Sequence, residues 1–435
     1  MVKLLSEKPI LTISPIKGHY DSALAISFDY ETSAPYGNFL KLNCRIRGIL
    51  LDITNKLGLT RKDLSFYWGL GFAMRYGSYN ILKILKRYKV HATWFATGHA
   101  LIKENRKKKA FRINQLLPYA TREAGFSSLV TWRKDLPTFY FEPYSDYQKY
   151  PYWYFGDLSE QLKQSGEDIQ CHTFSHPYIA LEPPENVLID TEDWQNAALA
   201  NGYKSASILS FPFGGDAYRY YPDLGLKTML GKNIPAQKFE LINLSPSIIE
   251  ILKKCGIELL TRCGSKFDEG SLTISQYNNS SLYYLPDFDF STLNFGKMDN
   301  ILNRIISNNG IINIWLHPCN VFTEDEKKKF ENLVRYLKTK EEQGLIWLAP
   351  IFDIWNHYQK TKSCHLKIET SGDKLKVIVI NNNQSDIEEL ALDLNLRDIE
   401  LINSDNNILK IKDRLIIKKI GAGSNYKFMT LYKKA

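Results

Sequence analysis

The chain has 435 residues, of which 44% are hydrophobic and 24% charged, with a formal net charge of +9. That is too long for one ordinary compact domain and too apolar for a disordered chain, so a large domain plus a smaller one is expected. The positive balance could draw a phosphate-bearing ligand, but the densest basic run, residues 103–112, lacks the interleaved aromatics of a single-strand nucleic-acid platform, and no nucleic-acid partner is expected.

Residues 1–17 carry Lys3, Glu7, Lys8 and Lys17 among their apolar side chains, so they lack the continuous apolar stretch of a secretion signal. No span reaches the roughly 20 apolar residues that cross a bilayer, and a cytoplasmic protein without a transmembrane segment is expected. Residues 23–28 form a short apolar run fit for a buried strand, which ends in Asp29-Tyr30-Glu31. An apolar stripe of Ile81, Leu82, Ile84, Leu85 and Tyr88 predicts a helix over 78–89, followed by a strand over 90–97 closed by Gly98. The alternation continues with helix 157–166, strands 168–171 and 206–211, helix 246–256 and strand 258–261. It resumes with helix 298–307, strand 311–316, helix 324–344 and strand 345–348, and Thr323 with Glu326 forms a capping box ahead of the last helix. Repeated strand and helix units imply a mostly parallel sheet, open or closed into a barrel, with chemistry at the C-terminal ends of the strands.

After residue 361 the texture changes. Alternating segments at 375–380, 390–396, 408–411, 415–420 and 426–432, separated by Asn, Asp and Gly turns, predict a small antiparallel β-sandwich. The expected division is 1–361 and 362–435. The six cysteines, Cys44, Cys171, Cys255, Cys263, Cys319 and Cys364, contain no C-x-x-C pair, so reduced thiols are expected rather than a zinc ribbon or redox motif.

Three features carry candidate chemistry. His172 and His176 follow the apolar 168–171 strand, and two imidazoles four residues apart on a helical turn face the same way and can share one metal ion. Asp29 and Glu31 stand two apart at the end of the first strand and so project from one face. One carboxylate can bind a cation while the other accepts a proton from water, and which does which is open. His317 ends the buried run 311–316, an odd place for an imidazole that only packs, and Pro318 then stops the strand. Asp287 or Asp289 could orient His317 or cap a turn. His91 and His99 have no partner in view and are read as structural.

On these residues the chain resembles the NodB-homology polysaccharide deacetylases over residues 23–355. Ser27-Phe28-Asp29-Tyr30-Glu31 looks like the family's first motif, His91-Ala-Thr-Trp-Phe-Ala-Thr-Gly98-His99 like its second-strand segment, and His172-Thr-Phe-Ser-His176-Pro177 like its metal-binding H-[ST]-x-x-H. Ser210-Phe-Pro212-Phe213-Gly214 sits where the family has R-x-P-x-G, and Leu316-His317-Pro318 where it has its acid motif. The resemblance implies a distorted (β/α) barrel, here followed by a small all-β domain, a divalent metal that is usually zinc, and hydrolysis of an N-acetyl or O-acetyl group on a sugar or glycan precursor. Carried over residue by residue, it makes His172, His176 and Glu31 the metal ligands, Asp29 the general base and His317 the acid. Backbone N–H groups near Phe213 and Gly214 would hold the oxyanion.

Two departures stand out. Tyr30 stands where the commonest motif has a second aspartate, so the metal carboxylate is expected from Glu31; otherwise Asp29 binds the metal and another group is the base. Ser210 replaces the arginine that orients the base, and Arg262, after the following strand, is a candidate substitute, with Arg219 a second. Asn320 is placed near the mouth of the site. Tyr152, Trp153, Tyr154 and Phe155 either stack on a sugar or fill the core. Another C–N amidohydrolase on the same barrel and a catalytically decayed glycan-binding protein are the rival readings, and an oligomer is compatible with the sequence.

Overall fold

A computed structural model of the chain describes residues 10–32, 62–108, 144–177, 179–212, 217–220, 238–241, 244–263, 272–290, 295–372, 374–394, 399–402 and 406–432. In chain order the elements begin with β1 (Leu11–Ile13), β2 (Ser22–Tyr30), α1 (Lys62–Tyr88), β3 (Thr93–Ala96), α2 (Gly98–Leu101), α3 (Gly156–Gln164), β4 (Asp168–Cys171) and α4 (Pro184–Ala200). Next come β5 (Ile208–Ser210), β6 (Ala217–Tyr220), β7 (Lys238–Leu241), α5 (Pro246–Lys254), β8 (Leu259–Thr261), β9 (Ser275–Gln276), β10 (Tyr283–Tyr284) and β11 (Asp287–Asp289). Then α6 (Phe295–Ser307), β12 (Ile311–Leu316), α7 (Glu324–Glu342), β13 (Ile346–Leu348) and α8 (Ile351–Lys362) complete the first body.

Strands β12, β2, β3, β4, β5 and β8 pair in parallel in that spatial order. One broken strand closes the ring: β10 pairs with β8, and after Pro286 the same run of chain, now β11, pairs with β12. Proline has no N–H to give to a ladder, so the run changes neighbours there. The Pro286 carbonyl still accepts from the Asn313 N–H at 2.9 Å. The architecture is therefore the expected distorted (β/α) barrel, and the break at Pro286 is the distortion that closes it.

Alternation along β2 sets the two faces of the wall. Leu24, Ile26, Phe28 and Tyr30 join the core between sheet and helices, while Ala23 and Ala25 join an inner core with Ile208, Leu259, Leu285 and Ile311. Helix α8 adds Ile351, Ile354 and Trp355 to that inner core and seals the N-terminal end of the barrel. Followed upward, the parity of Ala23 and Ala25 puts Ser27, Asp29 and Glu31 inside. Ser27 Oγ accepts from Asn313 Nδ2 at 2.8 Å, and Asn313 has the inward parity of Ile311 on β12. The barrel is thus apolar at its base and polar at the C-terminal mouth.

Past α8 lie β14 (Cys364–Ser371), β15 (Lys374–Asn381), β16 (Ile387–Leu394), β17 (Ile399–Leu401), β18 (Ile408–Ile411), β19 (Arg414–Ile420) and β20 (Asn425–Tyr432). They form two antiparallel sheets, ordered β14-β15-β20-β17 and β1-β16-β19-β18. Leu375, Val377 and Val379 of the first share a core with Leu390, Leu392, Leu415 and Ile417 of the second. This sandwich also takes β1 from the start of the chain, outside the expected 362–435 span. Among the described residues no helix is long and apolar enough to cross a membrane.

Candidate metal and acid–base centre

Asp29, Glu31, His172, His176 and His317 meet at the C-terminal mouth of the barrel, delivered by the ends of β2, β4 and β12. Glu31 Oε1 lies 3.2 Å from His172 Nε2, 3.1 Å from His176 Nε2 and 3.5 Å from His317 Nε2. Asp29 Oδ2 stands further back, 4.0 Å from His172 Nε2 and 3.9 Å from His317 Nε2. The His317 side chain is 24% exposed against 1% for His172 and 4% for His176, so His317 is the imidazole that faces the opening.

The segment from His172 to His176 is not the helical turn expected from its spacing. It is an irregular loop in which Thr173 has φ +62° and His176 φ +63°. Left-handed backbone at a β-branched residue costs on the order of 1–3 kcal/mol and persists only where the surroundings over-determine it. Here they do. The Gly98 N–H donates to the Phe174 carbonyl at 3.0 Å, and a Cβ on Gly98 would come within 2.2 Å of the Phe174 ring. The His176 N–H donates to Thr173 Oγ1 at 2.9 Å. From α4, buried Asp190 accepts from the Phe174 N–H at 2.7 Å.

His172 Nδ1 faces the Ser210 carbonyl at 2.9 Å. A carbonyl only accepts, so Nδ1 carries the hydrogen and Nε2 presents its lone pair to the centre. Glu31, His172 and His176 each offer one ligand atom, and these lie within 4.8 Å of one another; Asp29, Glu31 and His317 form a second such group around the same Glu31. Two imidazole nitrogens and one carboxylate oxygen fit a divalent cation that keeps a position open. Burial opposes the charge on Glu31, but its imidazole neighbours, His176 foremost, hold its carboxyl well below the usual range. Burial lowers His176, and Glu31 only partly offsets it. Burial would also lower His317, yet Glu31 and Asp29 outweigh it and raise it.

Two groups hold Asp29 from neighbouring strands. Ser210 Oγ donates to Asp29 Oδ1 at 3.3 Å, and Arg262 Nη1 lies 3.1 Å from Asp29 Oδ2. Arg262 follows β8 with φ +62°, and its guanidinium lies over the Trp315 ring, which in turn sits edge-on to His317 at 5.5 Å. Asp287 accepts from Thr261 Oγ1 and from the Arg262 N–H, both at 2.6 Å, so its recorded partners lie in the Arg262 turn rather than on His317. Burial pushes Asp287 up to about 6 despite Arg262.

The Asn320 side chain accepts from the His317 N–H at 3.0 Å and so fixes the turn after β12. Trp153, Tyr154 and Phe155 are buried in the core, and Tyr152 stacks on Phe72. His91 faces Glu167 at 3.3 Å, and His99 sits among the rings of Trp153, Tyr154 and Phe174. Phe213, Gly214 and the Arg219 side chain lie outside the described residues. Two supporting residues escaped the sequence reading. Asp190 gives no spacing signal, being one of several acids on α4. Gly77, just ahead of the helix predicted from residue 78, lies within α1 and meets the turn after His317 so closely that an added Cβ would come within 1.8 Å of the Pro318 carbonyl oxygen.

A sequence profile of the polysaccharide deacetylase family matches residues 74–227. No curated protein sequence matches the chain. Among solved structures, the peptidoglycan deacetylase PdaC from Bacillus subtilis is 12% identical, with 80% of this chain and 96% of that chain covered and a TM-score of 0.34. A family 4 carbohydrate esterase from Streptomyces lividans, in complex with acetate, is 11% identical over 62% of this chain and 83% of that one, with a TM-score of 0.30. The carbohydrate deacetylase Agd3 is 8% identical over 82% of this chain and 61% of that one, with a TM-score of 0.43.

Proposed function

We propose that this chain, which matches the polysaccharide deacetylase family over residues 74–227, is a carbohydrate deacetylase that removes an N-acetyl or O-acetyl group from a sugar or glycan precursor at the Asp29–Glu31–His172–His176–His317 centre. The observation that carries this reading is the convergence of two ligand groups on one carboxylate, Glu31, with a second carboxylate directly behind it. Glu31, His172 and His176 would hold a divalent cation, and the two-nitrogen, one-oxygen donor set favours zinc. When bound, such a cation supplies Lewis acidity, polarising the acyl oxygen and lowering the pKa of water.

The remaining work falls to the protein's own groups. Asp29, held by Arg262 and Ser210 Oγ, takes the proton from the attacking water. Of the two carboxylates, Glu31 lies nearer the imidazole pair, and this supports Glu31 as ligand and Asp29 as base. His317 faces the opening and is placed to hand a proton to the departing nitrogen or oxygen. By family resemblance, the backbone near Phe213 and Gly214 would donate to the oxyanion.

The test is acetate release from a panel of N- and O-acetylated oligosaccharides and sugar nucleotides, with metal content measured on the same preparation. The expected result is one divalent ion per chain and turnover that His172→Ala and Asp29→Asn each reduce by about 10³-fold. Glycan binding without metal or turnover overturns the proposal in favour of the decayed binder. Turnover of a cyclic ureide without acetate release overturns it in favour of the amidohydrolase.

A further inference from the structure

The buried carboxylate of Asp190, in the middle of α4, takes no part in the mechanism above, yet all its recorded donors lie between the two imidazoles. It accepts from the Phe174 N–H at 2.7 Å, the Ser175 N–H at 3.1 Å and Ser175 Oγ at 2.5 Å. Phe174 and Ser175 lie between Thr173 and His176, whose backbones are both left-handed. Two successive N–H groups aimed at one acceptor fix the orientation of both intervening peptides, and with them the directions in which the flanking side chains leave the loop. Gly98 closes the loop from the other side, through its N–H on the Phe174 carbonyl.

We infer that Asp190 is the positioning residue of the cation site: it holds the His172–His176 loop in the one conformation that aims both Nε2 atoms at Glu31. The assignment rests on the metal reading above. Its hydrogen bonds run to the loop backbone and to Ser175 Oγ, so its effect on the cation runs through the loop. Ser175 is the residue through which Asp190 grips the loop twice, since its hydroxyl and its N–H both end on Asp190 Oδ1.

The experiment uses the full chain at pH 7.5 and two probes, calorimetric titration with Zn²⁺ and the visible absorption of bound Co²⁺. Asp190→Asn keeps the shape but loses a charged acceptor, and Ser175→Ala removes one donor. Asp168→Asn is the control, because Asp168 is likewise a carboxylate hydrogen-bonded to its neighbours, Thr93 and Gln170, but is only half-buried and sits at the start of β4, away from the mouth. Asp190→Asn is expected to weaken cation affinity about tenfold or more and to change the Co²⁺ bands, with Ser175→Ala intermediate and Asp168→Asn unchanged. Wild-type affinity and spectrum in both Asp190→Asn and Ser175→Ala overturn the assignment, as does an equal loss in Asp168→Asn. If Asp190→Asn does not fold, Ser175→Ala decides the question on the same two readouts. A wild-type chain that takes up neither ion overturns the metal reading, and this assignment with it.

Discussion

Arg262 reaches Asp29 from the strand next to the one that carries Ser210. The register pairs Ser210 with Thr261, so Arg262 stands one residue beyond Ser210's partner, with Nη1 3.1 Å from Asp29 Oδ2. Where the family resemblance expects an arginine on β5 this chain has Ser210, and a guanidinium reaches Asp29 from the end of β8. If that pair sets the orientation and ionisation of the base, Arg262→Met lowers kcat by about 10² with little change in KM, because a preorganised charge acts mainly on the transition state. Arg262→Lys keeps the charge but loses the planar contact with Trp315, and should recover only part of the rate. The double variant Ser210→Arg, Arg262→Ser tests the relocation directly, and is expected to exceed the activity of Arg262→Ser alone. Steady-state kinetics on one acetylated substrate checks all three; an Arg262→Met enzyme with wild-type kcat would falsify the pairing.

A second prediction concerns the turn that carries His317. At Gly77, in α1, an added Cβ would lie 1.8 Å from the Pro318 carbonyl oxygen, so helix and turn touch backbone to backbone. Asn80, one turn on, donates to the Val321 carbonyl at 2.9 Å and fixes the same contact. Gly77→Ala must push the turn away. Overpacking of this kind costs about 1–3 kcal/mol, and the displacement should fall on His317. Urea unfolding should show that loss, and kcat should fall more than KM rises. Gly71→Ala, on the same helix, is the comparison; an equal kinetic effect there would show that helix propensity alone is being read.

What the sequence revealed followed periodicity, and what it hid depended on contacts between distant segments. An apolar run over residues 23–28 fit for a buried strand, with acids at 29 and 31, was enough to place both carboxylates on one face, because the strand period is two whatever the fold around it. Spacing failed at His172 and His176. Four residues apart suggests a helix, but Gly98 and Asp190 hold the loop in a different shape that still brings the imidazoles together. Asp287 was hidden for a related reason: its partners, Thr261 and the Arg262 N–H, come from a strand that becomes its neighbour only when the barrel closes. Strand β1 was illegible because three residues carry too little pattern to reveal a pairing with residues 392–394.

That strand supports a third prediction. Leu11 is 2% exposed within the sandwich core, β1 pairs with Leu392 to Leu394, and the Ser14 N–H extends the ladder to the Ala391 carbonyl at 2.9 Å. Leu11→Ala removes a buried side chain there and should cost about 2–3 kcal/mol. Hydrogen exchange read peptide by peptide should show faster exchange in β16 and β19, while β2 and β12 keep their protection. Uniform acceleration through the barrel strands would mean that the two bodies unfold together and that Leu11 does not act locally.

Glu182, at the entry to α4, gives a pH prediction away from the metal ligands. Asn186 Nδ2 donates to its Oε2 at 2.8 Å, but its buried Oε1 has no hydrogen-bond partner among the described residues. Burial pushes this carboxyl up to about 7, against the opposing Asn186 hydrogen bond. The folded pKa lies above the unfolded one, so the folded state binds the proton more tightly. Its stability therefore falls as pH rises from about 4.5 to about 7, and the penalty is complete above that window. Glu182→Gln never carries the charge. It should be more stable than the parent by about 1–3 kcal/mol at pH 8, with the difference vanishing near pH 4. Urea midpoints of both proteins at the two pH values measure this directly. A gain that is the same at pH 4 and pH 8 would assign the effect to packing and remove the buried charge from the explanation.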